Sequence, residues 1–600
     1  MLFNPRPTTS NAAVPAGFNR NGTRTRGCYQ SGSGPSVLTC GRFFGSSSSI
    51  LSYGLRLRSL RPARFTSASV LLAGILALAA AVRFWGLGFG LPHTQARPDE
   101  TQIIDVTLYF LRGDFRPAFY DYPWLYMWVL TGMYLVYYAW GAAIGSFGSV
   151  ADLVASWPVR WEPFFLISRA LSATAGVATV FVVYRLTRKL WDEATALVAA
   201  LFLALVFIHA RDSHFGTTDT AMTLLIVGSV SLLLSAHLTG RRNLFALAGL
   251  VGGFATATKY NGAFLAAPFA VSQLLHAMDS PGRRAAALFD ARLIWFGVPF
   301  VLALAVGIPF VLADADRFLA AMGDLMHSMQ SGQGALSPEN GWLHHLAYSL
   351  RYGVGLPLVI IGTLGAVVLA ARQPRTAAIL FAFPVAYFIV AGSFRNLFFR
   401  YMIPIVPFLV VAAAWLVTET VRRVTASRAA LALAASLMML PSAVSLVQFD
   451  RVASATDNRV LVAEWFARHV PPGDSVLQSG SIYGYAQIDN RVWTVWTWDR
   501  YRKAFVVQNR RAAGQPDWIL LQESPLPSLT QDVVAGFLKE GYHVAWQFTA
   551  FSPREGRVYD LQDAFFIPFT GFSGIARPGP NFTLYKRTTA SLKQDGRSGP

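Results

Sequence analysis

Apolar residues run along this chain in long blocks broken by short polar segments. The first block covers about 68–90. Others lie near 124–147, 164–184, 194–210, 220–238, 244–258, 262–277, 293–312, 354–371, 376–393, 402–420 and 429–448. A helical crossing of a bilayer core takes about twenty mostly apolar residues, so these blocks predict a polytopic α-helical membrane protein. With 53% hydrophobic and 14% charged residues, a soluble chain would need several large domains with greasy surfaces. The aromatic share of 14% also suits membrane interfaces, where Trp and Tyr collect.

Charge decides which blocks cross. A formal net charge of +19 would fit a nucleic-acid binder if it lay on one exposed face. Instead, nine Arg and no acidic residue fall within residues 1–66, and much of the remainder sits in short loops. Short loops rich in Lys and Arg stay cytoplasmic. If 124–147 crossed, most of those loops would lie outside. If it rests on or dips into the outer surface, the inner loops hold the cations: Arg185, Arg188 and Lys189; Arg241 and Arg242; Arg283, Arg284 and Arg292; Arg372 and Arg375; Arg422, Arg423 and Arg428. That parity predicts about 11 transmembrane helices, a cytoplasmic N-terminus, an extracytoplasmic C-terminal domain and no nucleic-acid partner.

Three regions follow. Residues 1–66 read as a disordered basic cytoplasmic tail rich in Ser, Gly and Arg; the bias equally resembles an organellar transit peptide or an upstream extension of the reading frame. Both cysteines, Cys28 and Cys40, lie there, so neither a disulfide nor a Cys-based metal site is expected later in the chain. Residues 67–448 form the membrane domain, with a first outer loop at 91–163. Residues 449–600 form an outer soluble α/β domain. In it, Val460, Leu461, Trp465 and Phe466 predict an amphipathic helix ended by Pro471-Pro472-Gly473, and Trp518-Ile519-Leu520-Leu521 a buried strand.

With this topology, four outer loops carry polar groups to one membrane surface. They are Asp99-Glu100, Arg211 to Asp219, Lys259-Tyr260-Asn261-Gly262, and Arg395 with Arg400-Tyr401. A carboxylate accepts the proton of an attacking hydroxyl, while Lys and Arg hold a departing phosphate. The chemistry implied is transfer of a sugar from a lipid phosphate. Each group also has a plainer reading. Pro98-Asp99-Glu100 suits the first turn of a helix, Lys259 and Arg400 suit cations reaching lipid phosphates, and His214 suits a hydrogen-bonding loop residue.

Over roughly 75–480 the chain resembles membrane glycosyltransferases of the GT-C fold, in the superfamily of protein O-mannosyltransferases and lipid A aminoarabinose transferases. Arg97-Pro98-Asp99-Glu100 resembles that family's His/Arg-Pro-Asp-Glu motif. Tyr122-Pro123-Trp124-Leu125-Tyr126 is similar to its Tyr-Pro-Pro-Leu element, which opens a juxtamembrane helix. Arg211 to Asp219 resembles the second acidic motif, and Lys259-Tyr260 the Lys after a small-residue helix. Arg400-Tyr401-Met402-Ile403-Pro404 with Pro407 resembles the Arg-Tyr-x-x-Pro-x-x-Pro signature. Asp457 to Arg459 looks like the start of the family's outer domain.

The resemblance implies a GT-C fold and an inverting transfer from a polyprenyl-phosphate-linked sugar to a protein, lipid or glycan acceptor. Asp99 would be the general base, Glu100 its supporting neighbour, and Asp219 a positioning acid. Lys259, Arg211 and Arg400 would bind the donor phosphate, and Tyr122, His214, Tyr260 and Tyr401 would contact acceptor or sugar. No metal is required once cations neutralise the phosphate. His214 with Asp219 or Glu100 offers a place for a divalent ion, although Arg97 stands where many relatives have His.

Three further features remain open at this level. The loop 313–345 is long and holds His327, His344 and His345, as an acceptor gate or a connector would. Trp493, Trp496 and Trp498 suit a strand's core better than a sugar-binding face. Asn581-Phe582-Thr583 is a glycosylation sequon. The competing reading, a transporter or lipid flippase, would place charge and broken helices at mid-depth, where the blocks carry almost none. A non-catalytic sensor would leave the acidic loops unexplained. The setting expected is a bacterial plasma membrane.

Overall fold

The computed structural model describes residues 67–117, 119–311, 313–332, 338–499, 501–526, 530–539 and 541–588. The tail 1–66, with Cys28 and Cys40, lies outside them. Each apolar block proves helical, and among the described residues eight helices are long and apolar enough to cross a membrane: Ser67–Phe84, Glu162–Leu190, Thr218–Thr239, Arg284–Gly307, Gly341–Arg372, Pro374–Ala391, Phe399–Val424 and Arg428–His469. Leu125–Ala143, the block set aside on charge, is a 19-residue helix outside that set.

Against the expectation of about 11, the described residues hold eight helices of full length. The other three blocks fall on shorter helices, because the backbone breaks within or between them. Glu193–Leu205 has 13 residues and stops at Val206, which is extended (φ −65°, ψ 124°) before Phe207–Asp212 begins. Arg242–Thr258 has 17 residues and stops at the extended Lys259. A 3₁₀ turn, Tyr260–Leu265, then leads into the 13-residue helix Ala266–Met278.

A break inside a membrane domain strands backbone carbonyls, which must find donors within the protein. Arg83, fully buried at the end of the first helix, supplies them at Val206. Its Nη1 donates to Ala204 O at 2.9 Å and its Nη2 to Leu203 O at 3.0 Å. The other break is braced by close helix packing. A Cβ on Gly249 or Gly253 would stand 2.1 Å from Phe296 O or 2.2 Å from Phe300 O. These two glycines, four apart, thus let Arg242–Thr258 lie directly on Arg292–Gly307.

The helix Arg428–Ala453 runs past the expected boundary at 448. Asp457 then caps Asn458–His469, the amphipathic helix expected before Pro471. Beyond it stands a mixed seven-stranded sheet of order β4-β3-β2-β1-β5-β7-β6. The strands are β1 Ser475–Gln478, β2 Thr494–Asp499, β3 Ala504–Val507, β4 Arg510–Arg511, β5 Trp518–Glu523, β6 Tyr542–Phe548 and β7 Asn581–Arg587. β1 pairs in parallel with β2 and β5, and the remaining pairs are antiparallel.

Alternation along β5 explains the layers. Trp518 and Leu520 pack with Val462 and Phe466 of Asn458–His469, while Ile519 packs with Val534 of Gln531–Leu538 on the opposite face. Trp493 and Trp496 are buried, in keeping with a core role. The sequon is also structural: Asn581 Oδ1 accepts from Ala550 N at 2.7 Å, and its Nδ2 donates to Phe551 O at 2.9 Å.

Between β6 and β7 the chain leaves the sheet. Residues 549–580 form a strap pinched by bridges Phe551–Ile575 and Val558–Thr570. Its Phe565, Ile567, Phe569 and Phe572 are buried in the core of the membrane helices. Phe569 lies tilted against Phe399 (centroids 4.6 Å apart), and Phe565 meets Phe215 edge to face (4.9 Å).

Candidate active site

Asp99 enters the site from the first turn of Pro98–Leu111, a helix opened by Pro at its first position. Carboxylates are favoured there by the helix dipole, so the plainer reading holds for its placement. Its neighbour points elsewhere. Glu100 is fully buried and receives Arg169 Nε at 2.9 Å, Arg169 Nη2 at 2.7 Å and Gly216 N at 2.7 Å. It ties the start of Pro98–Leu111 to the helix Glu162–Leu190 and to the turn before Thr218–Thr239, and does not line the cavity beside Asp99.

That cavity, of about 470 Å³, is lined by Asp99, Asp121, Tyr122, Lys259, Tyr260 and Arg400, with Gln102, Asn261, Tyr387 and Tyr401 adding polar groups. The structure therefore brings together six of the ten residues expected from sequence: Asp99, Tyr122, Lys259, Tyr260, Arg400 and Tyr401. Arg400 sits in the 3₁₀ turn Phe399–Ile405, ahead of a long helix. Its Nη2 lies 3.0 Å from Asp99 Oδ2. Lys259 Nζ donates to Asp219 Oδ1 at 2.7 Å, so Asp219 stands directly behind the lining. Tyr260 donates its hydroxyl to Tyr120 O at 3.0 Å.

Arg211 and His214 are not brought to the cavity. Arg211 pairs with Asp212 at 2.9 Å and lies over the ring of Phe569 at 4.2 Å. His214 Nε2 faces Asp450 Oδ1 at 3.2 Å and Trp85 O at 2.9 Å, away from Asp219 and Glu100. Among the described residues, no three His, Cys, Asp or Glu side chains converge as a metal site would require.

Other groups entered the site without a sequence signal. Asp563, on the strap, receives Arg97 Nη1 in a short ion pair and Arg400 Nη1 at 3.2 Å. Nearby, Asp560 Oδ2 accepts from Phe399 N at 2.7 Å, fixing the start of the turn that carries Arg400. Burial and then the charge of Asp563 push the Asp560 carboxyl up to about 7. Burial opposes ionisation of Asp563 too, but Arg97, Arg400 and Arg211 outweigh it and hold that carboxyl below its ordinary range. Burial, with Asp99 close by, raises Asp121.

The opposite wall is apolar. The segment 313–345, open between gate and connector, holds the amphipathic helix Ala315–Ser331. Met322, Leu325, Met326 and Met329 of this helix line the cavity with Phe264, Phe394 and Phe398. Met329 O receives Arg395 N at 2.9 Å, and the Tyr401 hydroxyl meets Met329 Sδ at 3.5 Å.

These features define a multi-span helical membrane protein with a C-terminal sheet domain and a cavity that is charged at one end and apolar along one side. The family model of dolichyl-phosphate-mannose-protein mannosyltransferases matches residues 165–312, and this match supports a glycosyltransferase. Comparison with curated proteins gives no match.

Among solved structures, the chain is similar to the oligosaccharyltransferase AglB of Archaeoglobus fulgidus, in complex with an inhibitory peptide and a dolichol-phosphate. The identity is 12% and the TM-score 0.45, over 68% of this chain and 62% of that one. The match thus spans about three fifths of the archaeal enzyme's length. ArnT of Cupriavidus metallidurans is similar at 14% identity and TM-score 0.45, over 89% of this chain and 100% of that one. The arabinofuranosyltransferase AftD from Mycobacteria is similar at 15% identity and TM-score 0.39, over 86% and 40%.

Proposed function

We propose that the protein is an inverting glycosyltransferase that moves a sugar from a polyprenyl-phosphate donor to an acceptor hydroxyl on the non-cytoplasmic face. The observation that carries this reading is Asp99 beside Arg400, 3.0 Å apart, at the polar end of a cavity whose far wall is Met322, Leu325, Met326 and Met329. A lipid phosphate has the same polarity along its length. Its isoprenyl chain suits the methionine-rich wall, and its phosphate suits Arg400 and Lys259.

In the reaction, Asp99 accepts the proton as the acceptor oxygen attacks the anomeric carbon. The bond from that carbon to the phosphate oxygen breaks on the opposite side, which inverts the centre. The electron pair leaves on the phosphate, where Arg400 and Lys259 offset the charge. Asp219 holds Lys259 until the phosphate arrives. With two cations in place, no metal is needed for this step.

The test uses the purified full chain in lipid nanodiscs, with dolichyl-phosphate-mannose and undecaprenyl-phosphate-aminoarabinose as donors. Release of the polyprenyl phosphate is followed by mass spectrometry. Turnover of either donor supports the reading. No turnover of either, together with substrate uptake into sealed vesicles, would overturn it in favour of a transporter.

A further inference from the structure

We propose that Asp563 is a positioning residue of the transfer site: from the outer domain it holds Arg97 and Arg400 so that both direct their second terminal nitrogen at Asp99. This rests on the glycosyltransferase reading above.

Two guanidinium forks bridge the same two carboxylates in the same way. Nη1 of Arg97 and Nη1 of Arg400 converge on Asp563 Oδ1, and Nη2 of each faces Asp99 Oδ2, at 3.7 Å for Arg97 and 3.0 Å for Arg400. Arg97, Arg400 and Asp563 are buried, whereas the Asp99 side chain keeps 26% of its surface open. Among the described residues Arg97 Nη2 is a buried donor with no hydrogen bond, held just short of the base. The four side chains sum to zero charge, two cations against two anions.

Removing the Asp563 charge leaves two buried cations with one carboxylate. A guanidinium fork pairs both nitrogens with one carboxylate wherever geometry allows. Arg97 and Arg400 would then close on both oxygens of Asp99 and block the proton acceptor. Lipid phosphate would not be lost with it, because the site gains positive charge.

The experiment compares wild type, Asp563→Asn and Asp563→Glu, each as full chain in nanodiscs. Two quantities are read: transfer from dolichyl-phosphate-mannose or undecaprenyl-phosphate-aminoarabinose, and binding of dolichyl phosphate alone. In Asp563→Asn, turnover falls at least about tenfold, as for a misplaced catalytic group, while dolichyl phosphate binds as tightly as to wild type or more tightly. Asp563→Glu keeps the charge and the folding but moves the oxygen, so its turnover falls with the donor KM little changed. Joint loss of transfer and lipid binding in both variants would mean a purely structural anchor and overturn the proposal. So would wild-type turnover in either variant. A wild type that turns over neither donor overturns the glycosyltransferase reading itself.

Discussion

Arg169 meets Glu100 edge to edge, Nε on Oε1 at 2.9 Å and Nη2 on Oε2 at 2.7 Å, with both side chains fully buried. The same guanidinium donates to Leu87 O and Phe89 O, so one cation pins the segment that follows the first helix against the helix Glu162–Leu190. Breaking such a pair leaves an uncompensated buried charge. Glu100→Ala is therefore expected to destabilise the protein by about 3–5 kcal/mol, read as a lower unfolding temperature in detergent. An unfolding temperature equal to wild type would show that the pair holds nothing.

Asp99 differs from its neighbour in both exposure and partners, so its substitution should separate chemistry from folding. Asp99→Asn is expected to unfold at the wild-type temperature and to lose about 100- to 10,000-fold in transfer rate, the range for removing a general base. Near-wild-type transfer by this variant would remove Asp99 from the mechanism.

Lys259 is held by Asp219 at 2.7 Å, with the rings of Tyr122 and Tyr401 at 5.5 and 5.8 Å from Nζ. A charge-assisted hydrogen bond to phosphate contributes about 1.5–3 kcal/mol. Lys259→Ala is therefore expected to weaken dolichyl phosphate binding by about 10- to 150-fold, measured by titration in nanodiscs. Unchanged affinity would place the phosphate elsewhere.

The methionine wall should read the length of the lipid. Met326→Lys puts a charge on that wall and removes burial worth about 1.5–3 kcal/mol. Affinity for full-length dolichyl phosphate should fall by about tenfold or more, with a smaller loss for a two-isoprene analogue. Equal losses for both would mean that the chain does not lie along Met326.

Asp560 gives stability a pH dependence of definite sign. Its carboxyl holds a proton up to about 7 in the folded chain, against about 3.9 when unfolded. Between those values the folded state binds more protons, so stability falls as pH rises. Asp563, shifted down, contributes the opposite slope only at more acid pH. Wild type is expected to unfold at a lower temperature at about pH 8 than at about pH 5, and Asp560→Asn should flatten that slope. Parallel slopes for the two proteins would refute the assignment.

Much of the architecture could be read from the chain because it rests on local pattern. Block length located the apolar helices of the membrane domain, though not the amphipathic Ala315–Ser331, and loop charge kept Leu125–Ala143 out of the crossing set. The crossing count was harder, because the break at Val206 has no Pro or Gly to mark it and depends on Arg83, while the break expected at Lys259 to Gly262 leaves helices of only 17 and 13 residues on its two sides. Within the site, Asp99, Lys259 and Arg400 were legible because each sits where a helix begins or ends. Glu100, Arg211 and His214 carry the same residue types in the same loops, yet they turn inward to Arg169, Asp212 and Asp450. Sequence cannot separate the two directions. Asp563 left no pattern at all, beyond the unusual run Phe565-Phe566-Ile567-Pro568-Phe569 in a domain otherwise suited to water.

The strap also bears on biogenesis. Arg97 and its partner Asp563 are 466 positions apart, and a ribosome adding about 5–20 residues per second needs roughly 20 to 90 seconds to cover that distance. In the last part of that interval, once Arg400 is made and Asp563, 163 positions further on, is not, the charge cluster is half built, with two cations and no second anion. A nascent chain thus carries Arg97 and Arg400 before it has the carboxylate that bridges them. The ion cluster closes only after the strap between β6 and β7 has been made.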